Sequence, residues 1–442
     1  MRNGFIGLVI VAFSIAGYGQ STGYDNVAAQ ASLVSEFDVN GLKVVYKRRP
    51  SSPTVAAGLF IRGGSRNINE KNAGIERLML ATAIEQSKNY PRQIVRRDLS
   101  SHGSSINSGV QNDYSAVGMA TTRPHFERIF DILTDLVLNP TFAEEDVVRN
   151  KDAILTGLRE SGALPETALE TLRSRVIYSG HPYANDVNGT TATIASLTPQ
   201  DLRAYHRKMM ETSRLLFVIV GDVDVEVLKR KIAATFGKLP KGNYTETALP
   251  AIDFSKGSVD SIPRTLPTNY VKGAFAAPSI SDPDYYAMRV AMSILQTLVY
   301  QEVRGRLQLS YAPDADMESL AANSASISVS TTDPNRATSA MLAQIRLLQD
   351  QTINPAIIDE IASFFLTRHY MGQETSAAQV RELAHYELIG GGWRNSFEFL
   401  NGVRAVTPAQ VRNVANKYMK NIRFAIVGND RNLDKSIFVP AE

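Results

Sequence analysis

The stretch LTPQDLRAYHRKMM (197–210), followed by LLFVIVGDVD (215–224), occurs a second time as VTPAQVRNVANKYMK (406–420), followed by IRFAIVGNDR (422–431). In both copies a Thr-Pro pair is typical of a helix start, because Thr caps the first turn and Pro fits the first helical position. The apolar run after each helix predicts a buried strand. Counted from Pro to Pro, the copies lie 209 positions apart, which predicts a duplicated domain of roughly 200 residues rather than a short solenoid repeat.

The sequence before each repeated unit has the pattern of strands followed by long helices. Strand-like segments lie at 39–49 and 54–65 in the first half and at 268–280 in the second. This order predicts an α+β fold with two homologous halves, each an antiparallel-leaning sheet with helices packed on one face.

A segment rich in Pro, Gly, Ser and Thr separates the two halves. It spans 241–264 and lacks helical periodicity, so it is predicted as the interdomain linker. We therefore predict an N-terminal half at 21–240 and a C-terminal half at 265–442. The 442-residue chain also exceeds the length, roughly 250–300 residues, at which a single hydrophobic core stops growing.

The first 20 residues have the features of a secretory signal peptide. Arg2 precedes an apolar run from Phe5 to Ala16, and small residues follow at Gly17 and Gly19. The apolar run is shorter than the ~20 residues of a bilayer span, so a signal at 1–20 is favoured over a membrane anchor. With no cysteine in the chain, disulfides and a cysteine-linked lipid are excluded. We expect a periplasmic protein without a membrane span after cleavage.

The composition is that of an ordinary globular protein. The chain is 44% hydrophobic and 21% charged, and its formal net charge of +3 is spread along the sequence, so nucleic-acid binding is not indicated. None of the six histidines forms a pair at a spacing of three or four. We therefore predict no metal site and no cofactor in this chain.

Five segments, taken in order, carry a resemblance to a known family. They are GLFIRGGSRNINEKNAGI (58–75), NPTFAEEDVVRNKDAIL (139–155), SGHPYANDVNGTTATIASLTPQDLRAYH (179–206), FVIVGDVD (217–224) and YQEVRGRLQLSY (300–311). Together they resemble the insulinase, pitrilysin and mitochondrial processing peptidase family of zinc peptidases. The resemblance spans nearly all of the predicted mature chain and implies that the two halves form half of a clamshell.

The resemblance also implies that the catalytic metal motif is lost. Active members carry His-x-x-Glu-His on the helix after Gly74-Ile75, where the two His bind zinc and the Glu activates water. Those three positions hold Arg77, Leu80 and Ala81 here. The segment that matches the family's third ligand, a Glu, holds Thr156 and Gly157. Zinc is therefore expected in a partner subunit and not in this chain.

A second motif of the family is retained. The resemblance implies that an Arg and a Tyr, seven positions apart, face the zinc from the second half of a chain or from a partner. Arg304 and Tyr311 match this pair. A Tyr hydroxyl can donate to the oxyanion of a tetrahedral intermediate, and Arg can anchor a substrate carbonyl. The alternative is a surface Arg and a core Tyr without a role in catalysis.

Three functions follow from these features. The leading hypothesis is the non-zinc-binding subunit of a heterodimeric periplasmic zinc metallopeptidase, inactive alone, which completes the active site of a partner carrying His-x-x-Glu-His. The first alternative is an inert scaffold resembling the core proteins of respiratory complexes. The second is a self-associating subunit that binds peptides without cutting them.

Overall fold

The structure, a computed structural model, describes residues 23–431 and 433–439. The predicted signal peptide at 1–20 lies outside the described residues. Among the described residues, no helix combines the length and the apolar composition needed to cross a bilayer.

The first half is built around a six-stranded sheet with the order β1-β2-β6-β3-β5-β4. All neighbours in this sheet are antiparallel except β2 and β6, which are parallel. The strands are β1 (Val34–Val39), β2 (Leu42–Arg48), β3 (Thr54–Arg62), β4 (Ser105–Val110), β5 (Tyr114–Thr122) and β6 (Leu215–Gly221).

The second half repeats this topology with one strand fewer. Its sheet has the order β7-β11-β8-β10-β9, and its parallel pair is β7 with β11. Strand for strand, this order matches β2-β6-β3-β5-β4, which confirms the predicted duplication. The strands are β7 (Ser258–Pro263), β8 (Asn269–Ala276), β9 (Asp314–Met317), β10 (Ser324–Thr331) and β11 (Arg423–Gly428).

Helices lie between and around the strands in both halves. Those of the first half are α1 (Gly23–Ala29), α2 (Ile75–Ala83), α3 (Arg92–Ser101), α4 (Phe126–Leu138), α5 (Glu144–Ala163), α6 (Pro165–Ile177), α7 (Thr191–Ser196), α8 (Pro199–Met209) and α9 (Val225–Ala234). Those of the second half are α10 (Tyr285–Val299), α11 (Pro334–Asp350), α12 (Pro355–Gly372), α13 (Ser376–Ile389), α14 (Asn395–Arg404), α15 (Pro408–Tyr418) and α16 (Lys435–Phe438).

The two repeated helix starts are capping boxes. The Asp201 amide donates to the Thr198 hydroxyl at 3.2 Å, and the Thr198 amide donates back to the Asp201 carboxylate at 2.9 Å. Thr407 and Gln410 make the same reciprocal pair in the second half. Each box satisfies two amides that a helix start leaves without an internal partner.

The predicted linker contains a strand. Residues 240–257 form neither helix nor strand, but β7 begins at Ser258 and pairs with β11 over its full length. The prediction of a linker up to residue 264 therefore included part of the second sheet. The polar sequence SVDSIP hid this strand, because an edge strand that is only half-buried lacks a continuous apolar run.

Each sheet is covered on its second face by a helix from the other half. Helix α13 packs on β3 and β6 of the first sheet, and α6 packs on β11 and β8 of the second. Leu172 of α6 is buried against Val427 of β11, while Val380 of α13 belongs to the core that includes Val218 of β6. The halves are therefore joined by a reciprocal exchange of helices, in addition to the predicted helices on one face.

A buried carboxylate also connects the two halves. Asp113 accepts hydrogen bonds from the Tyr183 hydroxyl at 2.6 Å and from the Ala321 amide at 3.1 Å. The Tyr183 hydroxyl in turn accepts from the Ala322 amide at 3.2 Å. Because Asp113 is only 2% exposed, these bonds replace the water that the carboxylate gave up on folding.

Candidate functional site

The degenerate metal positions lie on two helices that pack together. Helix α2 begins after Gly74, whose φ of 84° is a conformation that favours glycine. A Cβ atom at this position would clash with the backbone of Gly189. Arg77 points to the outside, where its guanidinium donates to the Asn188 carbonyl at 3.3 Å. Leu80 is 3% exposed and belongs to the apolar core.

These positions offer no ligand for zinc. Ala81 is half-buried, and Gly157 on α5 is exposed with open space where a side chain would stand. Arginine, leucine, alanine and glycine present no lone pair that binds Zn²⁺ at neutral pH. The residues therefore do not fit the metal that the resemblance implies for active relatives. Within the described parts of the chain, no group of three His, Asp or Glu side chains is placed to hold a metal ion.

A buried polar cluster beside Arg77 was not predicted. Glu76 is 3% exposed and accepts hydrogen bonds from the Ser115 hydroxyl, from the Tyr205 hydroxyl at 2.7 Å and from the Asn67 amide at 2.8 Å. Burial raises the pKa of the Glu76 carboxyl, although these donors and the charge of Arg214 oppose the shift. The one sequence signal for this cluster was a Glu within an apolar helical run.

Arg304 and Tyr311 are in direct contact at the end of α10. A π-helical turn, Tyr300–Arg306, extends this helix. Such turns are rare in proteins, and those that occur are often found at functional sites. The guanidinium of Arg304 lies over the Tyr311 ring, with Cζ 4.0 Å from the ring centroid. It also donates to the Tyr311 carbonyl at 3.1 Å. The structure thus brings the two residues together.

The backbone holds Tyr311 outside the helix. The chain turns at Gln308, which has a φ of 53°, and the Leu309 carbonyl accepts a hydrogen bond from the Thr331 hydroxyl at 2.8 Å. Tyr311 is consequently 79% exposed, an unusual value for so large a ring. Its hydroxyl is available to a molecule from outside.

Arg304 carries a charge that no carboxylate neutralises within residues 23–431 and 433–439. The nearest acidic side chain in sequence, Glu302, is held by the guanidinium of Arg306, which lowers the pKa of the Glu302 carboxyl. The Tyr311 ring contacts the face of the guanidinium and one N–H group donates to the Tyr311 carbonyl, so its other in-plane N–H groups are left for a ligand. Arg304 can therefore donate to a carbonyl or carboxylate of a ligand.

The two sets of residues occupy related places in the two halves. Helix α2 follows β3, and α10 with its π-helical turn follows β8, which is the equivalent strand of the repeat. In the described structure Arg77 bonds to Asn188, whereas Arg304 bonds to Tyr311, so the two sets share no hydrogen bond.

A cavity of about 610 Å³ lies between the first sheet and α13. The free edge strand β4 forms one wall, with Asn107 and Ser108, and α13 contributes Arg381 and His385. His385 lies within hydrogen-bond distance of the Tyr114 hydroxyl, at 3.2 Å. Burial lowers the pKa of His385 and raises that of Tyr114 to about 12, so both are neutral at pH 7. This volume lies in the range of small-molecule pockets.

Models of one peptidase family match most of the chain. The model "Insulinase (Peptidase family M16)" matches residues 43–191, and the model "Peptidase M16 inactive domain" matches residues 196–364. The first match includes the degenerate metal positions, and the second includes Arg304 and Tyr311.

Several known proteins are similar to this chain in sequence. Cytochrome b-c1 complex subunit 1 of Bos taurus mitochondria is 25% identical over 59% of this chain and 55% of its own length. Mitochondrial-processing peptidase subunit beta of Saccharomyces cerevisiae is 24% identical over 58% of this chain and 56% of its own length. The chain thus spans about half the length of these relatives. An uncharacterized zinc protease of Mycobacterium leprae is 22% identical over 88% of this chain and 90% of its own length.

Solved structures share the fold over nearly the whole chain. A peptidase M16 inactive domain from Pseudomonas fluorescens superposes with a TM-score of 0.80, at 18% identity, over 90% of this chain and 98% of that one. A protease from Helicobacter pylori gives a TM-score of 0.79, at 16% identity, over 89% of this chain and 99% of that one. The resemblance predicted from the sequence is thus confirmed: the chain belongs to peptidase family M16, the insulinase family.

Proposed function

We propose that this chain is the non-zinc-binding subunit of a heterodimeric zinc metallopeptidase and that it completes the active site of a partner of the same family. The observation that carries the proposal is the exposed contact between Arg304 and Tyr311, which keeps the hydroxyl and the guanidinium donors open to a ligand. The loss of every metal-ligand side chain on α2 and α5 supports a division of labour. The partner would carry the zinc and the general base.

The two residues would act on different parts of the reaction. The Tyr311 hydroxyl would donate to the oxygen that becomes negatively charged as water adds to the scissile carbonyl. Arg304 would bind a carbonyl of the peptide through in-plane donors and hold it in both ground and transition states. Neither role requires a metal in this chain.

The proposed compartment is the periplasm. The basic, apolar and small residues in the order found at 1–20 support export through a cleaved signal. A fractionation of cells that express the full sequence tests this proposal, and it is wrong if the protein remains in the cytoplasm at its uncleaved mass.

Reconstitution tests the proposed function. The chain should be expressed alone, with an M16 partner that carries His-x-x-Glu-His, and with that partner plus a Tyr311→Phe chain. We expect co-elution of the two subunits in both mixtures and peptide hydrolysis only in the mixture with the unaltered chain. Full activity of the zinc-bearing partner alone, or separate elution, would refute the proposal.

A second candidate, peptide binding without hydrolysis, is favoured by the cavity beside β4. The free edge of this strand can pair with an extended peptide, and small residues such as Ser108 and Gly109 leave that edge open. Fluorescence anisotropy of labelled peptides with the chain alone distinguishes the two functions. Saturable binding that Ser108→Pro abolishes, without any activity upon addition of the partner, would favour this candidate over the first, because the Ser108 N–H lies on the free side of β4.

A further inference from the structure

Arg304 has a second aromatic neighbour that the proposed function does not use. The centroid of the Tyr300 ring lies 4.9 Å from Cζ of Arg304, and that of the Tyr311 ring lies 4.0 Å away. Tyr300 begins the π-helical turn that also carries Arg304, and its side chain is 42% exposed. Two exposed tyrosines therefore contact one guanidinium.

Little else restrains this guanidinium. Its described hydrogen bond is to the Tyr311 carbonyl, and Glu302 is occupied by Arg306. An arginine side chain has many rotamers, and the affinity of a ligand is lowered when binding restricts them. Ring contacts restrain the side chain in advance while leaving its N–H donors free, which a carboxylate partner would not do.

We propose that Tyr300 is a positioning residue for Arg304: its ring restrains the guanidinium so that the free donors are directed at the peptide. This inference rests on the proposed function, because it assigns Arg304 to peptide binding. It concerns the ring of Tyr300 and not its hydroxyl. Tyr300→Phe should therefore preserve the effect, and Tyr300→Leu should remove it.

Kinetics of the reconstituted heterodimer test the proposal. We expect Tyr300→Leu to raise KM about two- to fivefold with kcat unchanged, which is the range for an exposed cation–π contact, while Tyr300→Phe keeps the original KM. Phe364→Leu is the matched control, because Phe364 is also half-exposed and contacts an arginine, Arg368, at 5.6 Å. An unchanged KM in Tyr300→Leu, or an equal rise in Phe364→Leu, overturns the proposal.

A measurement on the full chain alone separates this inference from the proposed function. Nuclear magnetic resonance order parameters of the Arg304 Nε–H group report how firmly the guanidinium is held. We expect a lower order parameter in Tyr300→Leu than in the unaltered chain and in Tyr300→Phe. An order parameter that does not change overturns the restraint itself, whereas an inactive heterodimer with the unaltered chain overturns the proposed function.

Discussion

At the residue scale, Tyr311 is the side chain with the most specific expected role. Tyr311→Phe removes one hydroxyl and keeps the ring that contacts Arg304. If the hydroxyl donates to the oxyanion, kcat and kcat/KM of the heterodimer should fall together by about 10²-fold or more. Assembly, measured by size-exclusion chromatography, should not change. If Tyr311→Phe kept the original kcat, the Tyr311 hydroxyl would have no role in catalysis.

Arg304 should act differently from Tyr311. In the proposed role Arg304 binds the peptide in ground and transition states alike, so we expect Arg304→Ala to raise KM and to leave kcat nearly unchanged. Arg304→Lys should rescue poorly, because an ammonium lacks the planar fork and stacks less well between two rings. Steady-state kinetics over a range of peptide concentrations measure both values. If Arg304→Lys had the original KM, contact between the guanidinium and the rings would not be needed for peptide binding.

The sequence identified this pair but not its arrangement. A spacing of seven would place Arg304 and Tyr311 on one face of an α-helix. The helical turn instead ends at Arg306, and the left-handed backbone at Gln308 directs Tyr311 back over the guanidinium. A left-handed conformation of a non-glycine residue is uncommon and leaves no signal in the residue types.

At the scale of elements, β2 carries a lysine between the two halves. Lys47 is 3% exposed, its ammonium donates to the Gln30 side chain at 2.9 Å, and it lies 5.2 Å from the ring centroid of Phe397 on α14. Burial lowers the pKa of Lys47 to about 8, because the charged form loses its water. At neutral pH the buried, protonated Lys47 therefore lowers the stability of the folded protein.

This burial predicts a dependence of stability on pH. A lysine in the unfolded chain titrates near a pKa of ~10.4, so between about pH 8 and that value the unfolded state binds more protons. The contribution of Lys47 to the free energy of unfolding should then rise with pH through this window, by roughly 3 kcal/mol at most. Urea titrations at pH 7 to 10 measure the slope, which should be smaller in Lys47→Met than in the unaltered chain.

The control for Lys47 lies on the same strand. Acidic partners, Glu387 and Glu36, raise the pKa of Lys43 against its burial, so Lys43→Met should leave the slope between pH 8 and 10 unchanged. Glu382, whose pKa burial raises to about 7, titrates mostly below this window. An equal slope in the unaltered chain and in Lys47→Met would contradict the prediction.

Helices and strands could be predicted from the sequence where neighbouring residues determine them. The Thr-Pro starts of α8 and α15 and the apolar runs of β6 and β11 follow from capping and hydrophobic pattern. Strand β7 was missed because its pairing with β11 depends on a partner 165 residues away, and its own residues do not alternate in burial. Pairing of that kind is a tertiary property.

At the scale of the whole molecule, the exchanged helices should make unfolding cooperative. Leu172→Ala on α6 removes a side chain that is 1% exposed and lies against the second sheet. We expect a loss of about 2–5 kcal/mol in the free energy of unfolding. Trp393, the single tryptophan, lies in the second half, so its fluorescence should report the loss at the same midpoint as circular dichroism.

The matched control is a leucine at the start of the same helix. Leu164 is 53% exposed, so Leu164→Ala should change the unfolding midpoint little. If Leu172→Ala destabilised only a part of the circular dichroism signal and left the Trp393 transition in place, the halves would be independent units. The exchange would then contribute contacts without coupling.

The sequence predicted two halves but not their exchange of helices. Hydrophobic periodicity shows that α6 and α13 each have an apolar face, and it contains no information about which sheet receives that face. The same limit applies to Asp113, whose partners lie near residues 183 and 321 and become neighbours only after folding. Long-range polar and apolar contacts of this kind require the assembled structure.

The exchange of helices also has a consequence for synthesis. The face of the first sheet formed by Ala56, Phe60 and Val218 is covered by α13, which begins only at Ser376. A ribosome that has made the whole first half has therefore produced a sheet with one apolar face still open to solvent. Such surfaces favour aggregation and chaperone binding during translation. The growing chain must therefore remain soluble until α13 has been made.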